Sequence, residues 1–258
     1  MAGLLELDCV TIRFGGLTAV SEFSASVNEG ELVGLIGPNG AGKTTVFNLI
    51  TGVYAPTSGQ LHFEGRPLAK LRPFDITERG IARTFQNIRL FPSLTVFDNV
   101  RVAFHLHLKH AAVHSLTRGL KFRLEETELS DKTRDLLSIF DLEKVRNEPA
   151  KSLSYGDQRR LEIVRALATA PKLLLLDEPA AGMNPSEKTE LMRLIGFIRE
   201  RFNLAILLVE HDMKVVMGIC QRIHVLEYGR KIAEGIPSVI RSDPRVIAAY
   251  LGQDPPST

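Results

Sequence analysis

Gly37-Pro38-Asn39-Gly40-Ala41-Gly42-Lys43-Thr44 is the stretch on which the reading of this chain turns. It satisfies G-x-x-x-x-G-K-[ST] in full, and its surroundings are those the pattern requires. Glu31–Ile36 ahead of it reads as a short strand, and a helix is expected from the end of the loop to about Thr51. Glycines let the backbone wrap a phosphate without Cβ clashes. Successive N–H groups and the helix N-terminus then face the anion. Lys43 is placed to bridge terminal phosphates, and Thr44 to ligate Mg²⁺. A glycine-rich turn would account for the glycines, but not for the Lys and Thr that close the motif.

Working outward, the same alternation of strand and helix continues. Leu4–Ile12, Val20–Val27 and Ile81–Phe85 read as strands, and so does Gln60–Phe63 after the turn Pro56-Thr57-Ser58-Gly59. Leu173–Leu176 and Leu204–Val209 are short apolar runs suited to a buried parallel sheet, which predicts an α/β domain. Leu173–Leu176 ends in Asp177-Glu178, two carboxylates at the C-terminal edge of a strand, where open α/β sheets meet their ligands. Asp177 is expected to hold Mg²⁺ through water and Glu178 to polarise the attacking water. Solvated acids at a strand end are common in isolation, but paired with the phosphate loop they indicate a P-loop NTPase.

Between these halves the pattern changes. From Thr95 to about Phe140 it is helical, with Thr95 and Asp98 spaced as a weak capping box and Leu129, Leu136, Leu137 and Phe140 on one face. A helical subdomain is therefore expected at about 88–151, closed by Asn147-Glu148-Pro149, inside one unit spanning 1–258. A further helix is expected from Ser154, and another from Asn184-Pro185, with proline at its first position. The tail Gln253–Thr258 is expected to be loose.

Leu153-Ser154-Tyr155-Gly156-Asp157-Gln158 narrows the family. It resembles the signature motif of ATP-binding-cassette (ABC) ATPases, commonly L-S-G-G-Q, with Tyr155 and Asp157 departing from that form. Other residues follow in family order: Gln86 resembles the Q-loop glutamine, Ala180-Ala181-Gly182-Met183-Asn184-Pro185 the D-loop, and His211 the switch histidine. Phe14 resembles the aromatic that stacks on adenine, with a place in the core as the alternative. The resemblance runs across nearly the whole chain. It implies a P-loop ABC ATPase core with an antiparallel β subdomain and the inserted helical subdomain. It also implies ATP on Gly37, Pro38, Asn39, Gly40, Ala41, Gly42, Lys43, Thr44 and Thr45, with Mg²⁺ held by Thr44, Gln86 and Asp177. Glu178 becomes the general base, His211 the γ-phosphate clamp, and Lys43 and Gln86 complete the catalytic set. Ser154 and Gly156 act in trans, so each site needs two chains.

Arg83–Phe91, Tyr155–Ile163, Glu210-His211-Asp212-Met213 and Ala249-Tyr250-Leu251-Gly252 look like the ATPases of branched-chain amino-acid importers. Urea, lipid or export ATPases share these phrases and stay open, and a soluble cassette ATPase outside transport is the rival class. The importer resemblance implies integral-membrane permease subunits, a second ABC ATPase subunit (this chain or a paralogue) and an extracytoplasmic solute-binding protein. It places the chain peripherally on the cytoplasmic face of the inner membrane. Leu90, Phe91, Pro92, Leu94 and Phe97 form an apolar patch just past Gln86 that is expected to receive the permease.

Composition agrees with that reading. The 258 residues carry 44% hydrophobic and 24% charged side chains, enough for a sizeable core. A net charge of +2 offers no field for nucleic acid. Cys9 and Cys220 are too few and too far apart for a disulfide framework or a metal cluster, and a reduced compartment is the simplest setting. No signal peptide is read at the N-terminus, and no apolar run approaches the roughly 20 residues a membrane helix needs.

Overall fold

The computed structural model describes residues 3–104, 106 and 120–251. Strands β1 (Leu5–Phe14), β2 (Leu17–Val27), β4 (Ser58–Phe63) and β5 (Arg66–Pro67) form an antiparallel sheet in the order β2-β1-β4-β5. Strands β3 (Leu32–Ile36), β6 (Ile81–Arg83), β7 (Leu173–Asp177), β8 (Ala205–Val209), β9 (Arg222–Glu227) and β10 (Arg230–Gly235) form the second sheet, ordered β10-β9-β3-β8-β7-β6. Its strands run parallel except for β10, which pairs antiparallel with β9. The α/β expectation and the antiparallel subdomain are both met.

The uninterrupted apolar runs have a simple cause. Successive side chains of a strand point to opposite faces, so a sheet covered on both sides needs apolar residues at every position. Leu32, Ile36, Leu174, Leu176, Ile206 and Leu208 join the core that holds the helices α3 (Val96–Phe104), α4 (Leu120–Ile139), α5 (Tyr155–Leu167) and α6 (Pro185–Phe202). Val33, Leu35, Leu173, Leu175, Leu207 and Val209 join a second core. There they meet Val46, Phe47 and Ile50 of helix α1 (Lys43–Ile50) and Leu5, Val10 and Phe23 of the antiparallel sheet.

Register sets up the functional edge. Leu35 of β3 and Asp177 of β7 both pair with Val209 of β8. The segments that leave β3, β6, β7 and β8 therefore depart from one edge, carrying the phosphate loop, Gln86, Glu178 and His211 with them.

Several expected helix features are present among the described residues. Thr95 caps α3: its Oγ1 accepts from Asp98 N at 3.0 Å, and its hydroxyl donates to the Asp98 carboxylate at 2.8 Å. Leu136, Leu137 and Phe140 are buried in the helical core. Among the described residues of 88–151 lie α3, α4 and the 3₁₀ turns Glu143–Val145 and Ala150–Ser152. Residues 105 and 107–119 of the expected helical stretch, and the tail Gln253–Thr258, lie outside the described residues. Asn184 caps α6 by accepting from Ser186 N and Glu187 N, each at 3.0 Å, with Pro185 at the first helical position.

Several strand boundaries differ from the sequence reading by one to three residues, two of them at the functional end or its neighbour. Strand β2 begins at Leu17 rather than Val20. Strand β6 ends at Arg83 rather than Phe85, because Phe85 N turns away from the sheet and donates to Glu162 Oε1 at 3.3 Å. The elements after β8 have no counterpart in the sequence reading: α7 (Met213–Ile219), β9, β10, α8 (Pro237–Ser242) and α9 (Pro244–Leu251). Helix α2 (Pro73–Glu78) has none either. Among the described residues, no helix is long and apolar enough to cross a membrane.

Candidate functional site

The phosphate loop is built by glycines that nothing else could replace. Gly37 and Gly42 take φ of 152° and 106°, and added Cβ atoms would lie 2.0 Å from Leu226 O and 2.7 Å from Ala19 O. A methyl group at either place would push the loop off β9 or β2. Lys43 is buried, and its ammonium donates to Gly37 O at 2.7 Å and Pro38 O at 3.0 Å, inside the curl of the loop. Burial holds this amine below the ordinary lysine range, while the nearby Glu178 and Asp177 carboxylates act in the opposite sense.

Asn39, Gly40, Ala41, Gly42, Lys43, Thr44 and Thr45 line a cleft of about 540 Å³ whose other walls are Gln86, Glu178 and His211. Gln86 Nε2 donates to Glu178 Oε2 at 2.7 Å, and His211 Nδ1 lies 3.7 Å from the same oxygen. Glu178 sits in the left-handed region at φ 47°, a conformation that costs a non-glycine residue about 1–3 kcal/mol and gathers at functional sites. Its N–H donates to Val209 O at 2.9 Å, which ties the strained turn to β8.

Glu210, quoted in the sequence reading only for its family resemblance, holds this turn from below. Glu210 is fully buried and accepts from Ala180 N at 2.7 Å, His211 N at 3.1 Å and Asp212 N at 3.4 Å. One carboxylate thus fixes the chain after Glu178 and the chain around His211 relative to each other. Burial raises its proton affinity, against the pull of the three N–H groups. The signal was an acid at the end of an apolar strand, directly before the histidine.

Asp177 is buried, and its Oδ2 accepts from Arg83 Nη2 at 2.7 Å. Arg83 also donates to Asn48 Oδ1 of α1 at 2.7 Å and stacks between Phe47 and Phe85 at 5.3 and 5.0 Å. Asp177 does not line the cleft; Thr44 and Gln86 do. Among the described residues, no group of three or more His, Cys, Asp or Glu side chains converges to hold a metal. Hydroxyl, amide and carboxylate oxygens nonetheless suit Mg²⁺, a hard cation that is commonly carried on phosphates with one or two protein ligands. The residues fit that ion in this partial way.

Five expected contact residues are absent from the cleft's lining: Gly37 and Pro38, whose carbonyls hold Lys43, and Phe14, Ser154 and Gly156. Phe14 is 44% exposed at the end of β1, edge-on to Tyr54 at 5.1 Å, so it is not a core residue and does not line the cleft. Ser154 caps α5 by accepting from Asp157 N at 3.2 Å and donating to the Asp157 carboxylate at 2.8 Å. Gly156 lines a separate cavity of about 490 Å³ with Arg160, Met183, Glu187 and Phe197. Neither signature residue belongs to the phosphate cleft of its own chain.

Comparison with known proteins agrees with this arrangement. Residues 20–181 match the family model described as ABC transporter, and residues 230–255 match that of the branched-chain amino acid ATP-binding cassette transporter. The high-affinity branched-chain amino acid transport ATP-binding protein LivG of Salmonella typhimurium is 48% identical over 250 residues, covering 97% of this chain and 98% of LivG. The ADP conformation of MJ1267, an ATP-binding cassette of an ABC transporter, superposes with a TM-score of 0.84 at 28% identity, covering 98% of this chain and 100% of that one. The cassette MJ0796, a dimer bound to ADP and Pi after hydrolysis, superposes with a TM-score of 0.75 at 26% identity, covering 90% and 98%. Phosphate loop, acidic strand end, glutamine and histidine in one cleft, on a fold shared with these cassettes, lead to one conclusion: the chain belongs to the ABC transporter family of ATP-binding cassettes.

Proposed function

We propose that this chain hydrolyses ATP to power a branched-chain amino-acid importer whose membrane path is formed by separate permease subunits. The observation that carries the mechanism is the convergence of Gln86, Glu178 and His211 on one wall of the phosphate cleft. ATP lies with its phosphates on Gly37–Thr45 and its adenine against Phe14. Thr44 and Gln86 would hold Mg²⁺ in the cleft, with Asp177 reaching it through water, and the ion would supply positive charge to neutralise the phosphates. Water attacks the γ-phosphorus and gives its proton to Glu178, and the bond from that phosphorus to the bridging oxygen of ADP breaks. Lys43 and His211 stabilise charge on the transferring group.

Ser154 and Gly156 of a second copy, or of a paralogue, close the site, which fits their position away from the cleft of their own chain. The N-terminus of α5 then brings its positive end to the γ-phosphate. The permease docks beside Gln86, on the side of the chain that faces the cytoplasmic surface of the inner membrane. A groove of about 300 Å³ lined by Phe91, Val102, Ala103 and Arg165 supports this placement. Phe91, Pro92 and Leu94 of the expected patch are exposed, Phe91 on this groove, whereas Leu90 and Phe97 pack on the helical core.

The full-length likeness to LivG and the C-terminal family match support leucine, isoleucine and valine as the solutes. Co-purification with the permease, reconstitution in proteoliposomes and assay with solute-loaded binding protein test the reading. Turnover stimulated by branched-chain amino acids is expected. Stimulation by another solute alone would overturn the solute assignment.

A further inference from the structure

Helix α5 carries an ion pair that the hydrolysis mechanism does not use. Arg159 is 0% and Glu162 2% exposed, and Arg159 Nη1 donates to Glu162 Oε2 at 2.8 Å. Burying two charges is costly unless every group around them is satisfied. Here the main chain of the segment after β6 satisfies most of them. Arg159 Nη1 donates to Phe85 O at 2.6 Å and Arg159 Nη2 to Gln86 O at 2.8 Å. Glu162 Oε1 accepts from Phe85 N at 3.3 Å and Arg89 N at 3.1 Å. A cation takes the carbonyls and an anion takes the N–H groups of one five-residue loop, so the loop is gripped at both polarities.

The departure from the common signature is part of the same grip. Tyr155 stands where the common motif has glycine, and its hydroxyl accepts from Arg159 Nη2 at 3.3 Å. Its ring also faces the guanidinium at 5.9 Å. The gripped loop includes Gln86, whose side-chain amide is bonded to Glu178. An unbroken path of contacts thus runs from Tyr155, beside the cap residue Ser154, through Arg159 and the Gln86 backbone to the Glu178 carboxylate.

We infer that Tyr155, Arg159 and Glu162 are positioning residues that lock the Gln86 loop to the N-terminal half of α5, so that Ser154 and Gln86 move as one body. Motion of α5 toward the partner's γ-phosphate then necessarily displaces the Gln86 amide relative to Glu178. Closure of the signature and the setting of the water-activating carboxylate become a single event. The inference rests on the hydrolysis mechanism proposed above, in which Glu178 activates water.

A kinetic cycle on the full chain tests it. Arg159→Lys keeps the charge facing Glu162 but lacks the fork needed to hold two carbonyls at once. It should lower kcat roughly tenfold while changing KM for ATP less than about twofold. Gln86→Ala should also lower kcat. In the double variant, Arg159→Lys should cost less than about twofold more, because its effect travels through Gln86. Amide exchange at Phe85 and Arg89 should quicken in Arg159→Lys while the amides of Leu161–Leu167 keep their protection. Losses that multiply fully in the double variant, or unchanged exchange at Phe85 and Arg89, would overturn the inference. If Arg159→Lys does not fold, Glu162→Gln carries the same cycle. Wild-type turnover in Gln86→Ala would overturn the role of Gln86 and the lock together, whereas an impaired Gln86→Ala with additive losses would overturn the lock alone.

Discussion

Gln86 Nε2 and Glu178 Oε2 are 2.7 Å apart, so an amide just after β6 caps the carboxylate just after β7. The bond joins two neighbouring strands of the central sheet across the mouth of the phosphate cleft. It orients Glu178 through one of its two carboxylate oxygens. Glu178→Gln keeps the shape and removes the base. The variant should bind ATP with near wild-type affinity, hydrolyse it at least about a hundredfold more slowly, and accumulate as an ATP-dependent dimer in size-exclusion chromatography. Turnover at the wild-type rate would assign water activation elsewhere.

Arg83 and Asp177 form a buried pair that also reaches Asn48 on α1. Removing one partner of such a pair typically costs about 3–5 kcal/mol, since the other charge is left without compensation. Arg83→Gln should therefore lower the melting temperature by roughly 6–20 °C in a thermal scan. It should also raise the Mg²⁺ concentration needed for half-maximal turnover. A melting temperature within a degree of wild type would show that the pair contributes nothing.

His224 on β9 is 1% exposed, and both ring nitrogens lack hydrogen-bond partners. Burial pushes its pKa down from 6.5 to about 4, although Glu234 at 3.4 Å favours the charged ring and Lys231 and Arg222 oppose it. On acidification the unfolded chain therefore takes its proton first. The stability tied to a neutral His224 is complete above about pH 6.5 and is lost as pH falls toward 4. Between pH 7 and pH 5 the expected loss is about 2 kcal/mol. His224→Gln should flatten that part of the stability profile in urea titrations. An unchanged slope would place the acid sensitivity elsewhere.

Phe91 and Val102 are exposed on the groove beside the Gln86 loop, and Arg165 lies 5.6 Å from the Phe91 ring. Changing Phe91 and Val102 to Glu and Ser should leave the basal ATPase of the isolated chain within about twofold. Surface substitutions of this kind shift stability by only about 0.5 kcal/mol. Solute-stimulated turnover in proteoliposomes should be lost. Equal stimulation in the variant would remove this groove from the permease interface.

Ser154 and Gly156 lie outside the cleft that holds Lys43, so hydrolysis should need two chains. Activity per subunit should rise with protein concentration until dimerisation is complete. Ser154→Arg should keep ATP binding and lose hydrolysis, with a cost of about 1 kcal/mol in the lost cap of α5. Specific activity that stays flat well below the dimerisation constant would rule out the shared site.

The sequence by itself determined the elements whose chemistry is local. G-P-N-G-A-G-K-T needs no distant residue to form an anion-binding curl, because strand, glycines and helix start are contiguous. The apolar runs Leu173–Leu176 and Leu204–Val209 are short enough to read as strands covered on both faces. Thr95 and Asn184 announced helix starts through bonds within three residues of themselves. The tertiary structure decided what depends on pairing across the chain. That β6 stops at Arg83 follows from Glu162, 77 positions away from Phe85, capturing its N–H. That Arg159 and Glu162 grip the Gln86 loop, and that Glu210 bridges Ala180 and His211, could not be read from spacing. In sequence these residues are charges on amphipathic or strand-end segments, where a solvated face is the ordinary outcome. Only the close approach of β6, β7, β8 and α5 removes the water from them and turns each charge into a ligand for backbone groups that would otherwise be buried unpaired.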